Sequence, residues 1–195
     1  MIRLAALALL LAAPAIGAAP KPATVRVDIK TSDGAIEIEL EQAKAPISTA
    51  NFLAYVDQKR FDGTSFYRAV KVGEGYGFVQ GGTRNDPRRT RPPIAHEPTT
   101  KTGLSHVDGA ISLARLAPGT AAGDFVITVG AIPSMDADPA AKGDNQGFAV
   151  FGRVVDGMDV VHRILEAPRG KGGDGVMKGQ MLASPVKILS ARRVP

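Results

Sequence analysis

Two side chains stand out for the polar groups they carry within apolar runs: Arg68 and Gln80. Arg68 lies in an alternating run, Thr64 to Val70, that reads as a strand. Strict alternation puts Thr64, Phe66 and Arg68 on one face and Ser65, Tyr67 and Ala69 on the other. A charge on an aromatic-bearing strand face is rarely buried without a partner. Gln80 ends a second apolar run, Phe78-Val79-Gln80, and supplies a side-chain amide. Gly81 and Gly82 follow it and mark a bulge or a close backbone approach.

The residue types for bond-breaking chemistry are present but wrongly spaced. His96, His106 and His162 lie far apart, without metal-ligand spacing. Ser105-His106-Val107-Asp108 holds triad residue types, but neighbours in one turn cannot take triad geometry. Asp136, Asp138 and Asp144 lack the glycine and terminal glutamate of a calcium loop. Gly170 to Gly175 is not followed by the Gly-Lys-Ser/Thr of a phosphate loop. Glu37, Glu39 and Glu41 alternate along one solvated strand face. No metal and no cofactor is expected.

The elements that must position Arg68 and Gln80 follow in order. Val25, Val27 and Ile29 alternate with charged residues as a half-buried strand. Ser32-Asp33-Gly34 turns the chain, and Ile36, Ile38 and Leu40 form the returning strand. The period then changes: Pro46 suits a first helical turn, and Ile47, Ala50, Leu53 and Val56 recur at helical spacing to about Gln58. Gly109 to Arg115, Asp124 to Thr128 and Phe148 to Val154 are further strands. Asp156-Gly157 leads into a second helix with Met158, Val161, Ile164 and Leu165 on one face. A glycine-rich loop, 170–175, precedes a last strand holding Val186 and Ile188. The short strands with two helices fit a closed antiparallel barrel capped by helices, because closure removes exposed edges.

Several of these stretches resemble the cyclophilins, the peptidyl-prolyl cis-trans isomerases. Phe61-Asp62-Gly63-Thr64-Ser65-Phe66-Tyr67-Arg68, then Phe78-Val79-Gln80-Gly81-Gly82-Thr83, is similar to that family's central signature. Ala45-Pro46-Ile47-Ser48-Thr49-Ala50-Asn51-Phe52 resembles its first helix. Gly109-Ala110-Ile111-Ser112-Leu113-Ala114-Arg115 and Val150-Phe151-Gly152-Arg153-Val154 resemble two of its strands. The likeness runs over about residues 24–193. It implies a mainly β fold, a closed eight-stranded antiparallel barrel capped by two helices, and isomerisation of X-Pro bonds. It implies Arg68 and Gln80 as the catalytic pair, with Phe66, Tyr76, Phe78, Phe125 and Phe148 as candidates for the substrate pocket. Proline-containing polypeptides are the implied partners. A non-catalytic module that binds proline segments on the same fold is the alternative.

The chain also departs from the family. Tyr67 stands where the family has histidine, and about four extra residues fall between Lys71 and Gly77. Asp124, Val126, Arg115 and Phe148 replace family pocket residues. There is no Trp, whose indole N–H holds cyclosporin in sensitive cyclophilins. These changes point to weak or narrow activity and poor cyclosporin inhibition.

The N-terminus sets the expected location. Arg3, the apolar run Leu4 to Ala13, and small residues after Pro14 read as a secretory signal over residues 1–18, with the isomerase domain over 19–195. The expectation is a periplasmic monomer without stable membrane insertion once the signal is cleaved. The 195-residue chain suits one domain, and its 22 Gly and 14 Pro favour turns. No Cys is present, so no disulfide or thiolate metal site can form. The 24 Lys and Arg exceed the 19 Asp and Glu, and cleavage removes only Arg3 from that excess. The basic run Arg84, Arg88, Arg89 and Arg91 reads as a solvated loop, and an export signal argues against nucleic acid as its partner.

Overall fold

Eight strands close into one antiparallel barrel in the computed structural model, which describes residues 23–194. The expected signal segment lies outside the described residues. The strands are β1 (Val25–Thr31), β2 (Gly34–Leu40), β3 (Ser65–Gly73), β4 (Tyr76–Gly82), β5 (Ala110–Leu113), β6 (Asp124–Val129), β7 (Ala149–Asp156) and β8 (Met181–Arg193). Around the barrel they run β1-β2-β7-β5-β6-β4-β3-β8. Helices α1 (Pro46–Asp57), α2 (Thr99–Thr102) and α3 (Met158–Glu166) complete the fold, so there is one short helix more than expected. Among the described residues no helix is long and apolar enough to cross a membrane.

The core is apolar and aromatic. Phe52 of α1 lies 4.9 Å from Phe61, 5.4 Å from Phe125 and 5.3 Å from Phe151 between ring centroids. Phe66 meets Phe125 edge-on at 5.6 Å. Val160, Val161, Ile164 and Leu165 of α3 bury into the same core. Fully burying each such side chain stabilises the fold by about 1.5–3 kcal/mol.

The buried face of α1 differs from the expected one. Ile47 and Ala50 are exposed, while Ser48, Thr49, Asn51, Phe52 and Tyr55 are buried with Leu53 and Val56. The cause is Glu97, a buried carboxylate from the segment before α2. It accepts the backbone N–H groups of Ile47 at 3.2 Å and Ser48 at 2.7 Å, and the Ser48 hydroxyl at 2.8 Å. A helix begins with unpaired N–H groups and a positive dipole end, and a carboxylate satisfies both. That contact turns a polar stripe inward.

The extra residues between Lys71 and Gly77 lengthen the β3–β4 hairpin. Val70 pairs with Phe78, Lys71 with Gly77 and Gly73 with Tyr76, leaving Glu74-Gly75 as the turn. A Cβ on Gly73 would fall 2.2 Å from the exposed Tyr76 ring, which would have to turn aside.

Candidate active site

A bulge in β3 decides which way Arg68 points. Phe66 pairs with Gly81 on β4, and Arg68 pairs with Gln80, so Tyr67 is the extra residue between them. One inserted residue reverses the faces that follow it. Phe66 therefore enters the barrel core, and Arg68 leaves it. This corrects the reading that put Phe66 and Arg68 on one face.

Outside the barrel, Arg68 sits between two neighbours. Across β4, its Nη1 donates to Gln80 Oε1 at 2.8 Å. From the β8 side, Gln180 Oε1 accepts Nε at 2.9 Å and Nη2 at 2.6 Å. The Phe78 ring lies 5.4 Å from the guanidinium carbon. Partial burial lowers the Arg68 pKa, yet a guanidinium keeps its charge at neutral pH. Gln80 donates its Nε2 to the Tyr67 hydroxyl at 2.8 Å. Burial, with the Asp124 carboxylate adding to it, pushes the Tyr67 phenol up, so it stays a neutral hydroxyl.

These groups line a cavity of about 530 Å³. Its apolar wall comes from Phe78, Ala114, Val126, Met135 and Phe148. Arg115 holds that wall in place. Its side chain is only 4% exposed, pairs with Asp144, donates Nε to Gly147 O at 2.9 Å, and lies 5.1 Å from the Phe148 ring. Met177 and Met181, with Gly173 and Asp174, line the cavity from the other end of the chain.

Asp124 anchors the rim. Its Oδ1 accepts the Arg84 N–H at 2.7 Å, and the Asn85 N–H also bonds its carboxylate. Burial raises the Asp124 pKa, and those N–H groups and the Arg84 charge oppose the rise. Arg84 and Asn85 both have positive φ, 51° and 57°, which is costly for residues with a Cβ. The Asp124 bonds hold this turn, and the Arg84 guanidinium lies 5.5 Å from the Tyr67 ring. Gly82, at φ 128°, allows the approach: a Cβ there would fall 2.3 Å from Gly123 O.

The expected pocket residues divide. Arg68, Gln80, Phe78 and Phe148 line the cavity. Phe66, at 0% exposure, and Phe125, at 1%, are core residues instead. Tyr76, 38% exposed, stands at the hairpin tip against Gly73 and Gly130. Sequence reading passed over Gln180, Met135, Met177, Met181 and Asp174.

The other singled-out groups are tied elsewhere. His106 is buried and its Nδ1 meets Asp136 Oδ1 at 2.6 Å, while Asp108 accepts the Gly130 N–H at 2.7 Å. The basic run splits. Arg84 joins the cavity rim, Arg88 pairs with Asp86 at 2.9 Å, and Arg89 donates to the carbonyls of Arg60 and Asp62.

Comparison with known proteins agrees with this geometry. Residues 26–193 match the family model described as cyclophilin type peptidyl-prolyl cis-trans isomerase/CLD. This chain belongs to the cyclophilins. A peptidyl-prolyl cis-trans isomerase of Acinetobacter baylyi is 36% identical over 173 residues, 87% of this cyclophilin and 86% of the relative. Peptidyl-prolyl cis-trans isomerase B of Escherichia coli is 32% identical over 154 residues, covering 75% and 88%. The crystal structure of a Cryptosporidium parvum cyclophilin type isomerase in the presence of the dipeptide Ala-Pro superposes with a TM-score of 0.69 at 21% identity, covering 87% and 99%. The family activity is peptidyl-prolyl cis-trans isomerisation.

Proposed function

We propose that this cyclophilin isomerises X-Pro bonds of exported polypeptides, with Arg68 as the catalytic cation and Gln80 as the amide that holds the substrate carbonyl. The observation that carries this reading is the guanidinium fixed beside an open, largely apolar cavity.

The chemistry makes and breaks no covalent bond. The barrier, about 20 kcal/mol, is the amide resonance lost when the bond twists. As it twists, the prolyl nitrogen becomes pyramidal and regains a lone pair. A donor that bonds this lone pair binds the twisted form better than either planar form, which is the condition for catalysis. Arg68 has five N–H bonds, of which one on Nε, one on Nη1 and one on Nη2 are engaged. One N–H on each terminal nitrogen is left for the substrate. Gln80 uses one Nε2 hydrogen on Tyr67 and keeps the other for the carbonyl preceding the proline. Phe78, Met135 and Phe148 supply an apolar bed for the pyrrolidine ring. Burial strengthens each of these contacts by excluding water.

Export rests on the sequence: Arg3, the apolar run 4–13 and the small residues after Pro14 form a secretory leader over residues 1–18, with the isomerase domain following as a periplasmic monomer. X-Pro isomerisation is slow enough to limit folding, so exported chains are reasonable clients. A protease-coupled assay on a short X-Pro peptide tests the activity, and N-terminal sequencing of fractionated cells tests the location. Turnover above the uncatalysed rate and a start near Ala18 or Ala19 are expected. No acceleration, or a Met1 start in the membrane fraction, would count against the respective half.

A further inference from the structure

The cation of this site is held from the turn that leads into β8. β3 lies between β4 and β8, and Arg68 pairs with Gln80 on one side and Met181 on the other. Gln180, just before Met181, places one oxygen against both Nε and Nη2 of Arg68. Two bonds to one edge of a planar group fix its plane as well as its position.

Gln180 is itself fixed before it reaches Arg68. Its N–H donates to Met177 O at 3.0 Å, and its carbonyl accepts the Ala69 N–H at 3.0 Å. The backbone of Gln180 is thus bonded to the residue next to Arg68. The segment it lies in, Gly173 to Met181, contributes Gly173, Asp174, Met177 and Met181 to the cavity.

We infer that Gln180 is a positioning residue: it sets the plane of the Arg68 guanidinium and ties it to the 173–181 wall of the cavity. This rests on the reading of Arg68 as the catalytic cation. Without Gln180, the guanidinium keeps only its Gln80 bond and can turn about its long side chain. The transition-state contact depends on alignment more than ground-state binding does, so the loss falls on turnover.

The test compares Gln180→Ala and Gln180→Glu with the wild-type protein. In Gln180→Ala, kcat should fall about 5- to 30-fold while KM changes less than about twofold and the unfolding midpoint barely moves. In Gln180→Glu the acceptor oxygens return, and turnover should recover part of the loss. The Arg68 Nε–H signal in a nitrogen-15 spectrum reports the hold itself. It should exchange slowly in wild-type, rapidly in Gln180→Ala, and slowly again in Gln180→Glu. Wild-type turnover and slow Nε–H exchange in Gln180→Ala would overturn the inference. So would a turnover loss matched by a comparable fall in unfolding midpoint. If the wild-type protein has no turnover, the catalytic reading of Arg68 fails, and the Nε–H exchange still decides whether Gln180 holds it.

Discussion

Gln80 Nε2 donates to the Tyr67 hydroxyl at 2.8 Å, and this contact fixes which way the Gln80 amide faces. Arg68 has only donors to offer, so it takes the amide oxygen, and the nitrogen is left for Tyr67. Tyr67 is also the bulge residue that turns Arg68 outward. One residue thus aims the cation and orients its partner.

Tyr67→Phe keeps the ring and removes the acceptor. Gln80 is buried, so its freed N–H loses a partner at a cost of about 1–3 kcal/mol. Thermal unfolding should drop by roughly 2–12 °C, at about 2–4 °C per kcal/mol for a domain of this size. Turnover should fall with it, because the amide loses its orientation. An unchanged midpoint and unchanged turnover would show that the contact carries neither role.

Phe125 and Phe148 should separate stability from binding. Phe125 is packed among Phe52, Phe61 and Phe66, so Phe125→Leu should cost roughly 1–3 kcal/mol of stability with KM little changed. Phe148 lines the cavity, so Phe148→Ala should raise KM for an X-Pro peptide. Unfolding curves beside peptide kinetics check both, and a raised KM in a stable Phe125→Leu would return Phe125 to the pocket.

Those two residues show what could be read in advance. The strands, α1 and α3 followed from alternation, turn residues and helical spacing, since burial on one face leaves those marks. Inward and outward placement did not. Phe66 and Arg68 are two apart, and only the bulge at Tyr67, a property of the pairing with Gly81 and Gln80, separates their faces. Glu97 buried a polar stripe of α1 from 49 residues away from Ser48, and Gln180 reached Arg68 across 112 residues. Contacts that close through tertiary pairing leave no local period. Tyr76 stands at a hairpin tip for the related reason that the added residues lengthened that hairpin.

Stability should fall on mild acidification because of His106. Burial lowers its pKa, and the Asp136 contact opposes that only in part. The folded protein therefore binds its proton less readily than the unfolded chain. The stabilisation is complete above about pH 6.5 and is lost as pH falls through the lowered folded value. His106→Asn keeps a donor near the Nδ1 position and cannot titrate. Its unfolding midpoint should change less than that of wild-type between pH 7 and pH 5. Parallel profiles would assign the acid sensitivity to other groups.

Cyclosporin should inhibit poorly. The cavity wall near Phe148 is made by Met135, Ala114 and Val126, and the chain has no Trp to donate an indole N–H. One missing donor and its apolar area should cost about 1–3 kcal/mol, or about one to two orders in affinity. An inhibition titration of the purified protein checks this, and nanomolar inhibition would contradict it.

The central claim is that Arg68 stabilises the twisted amide, and turnover of Arg68→Ala on a short X-Pro peptide, read beside its thermal unfolding, tests it most directly. A charged hydrogen bond contributes roughly 1.5–3 kcal/mol, which predicts a loss of about ten- to a few hundred-fold at 1.36 kcal/mol per factor of ten. The loss should fall on kcat more than on peptide affinity, with the fold retained. Arg68→Lys should also lose substantially, because a lysine keeps the charge but cannot bond Gln80 and Gln180 together in one plane. Near-wild-type turnover in a well-folded Arg68→Ala protein would contradict the account and leave a proline-binding module without catalysis at this site.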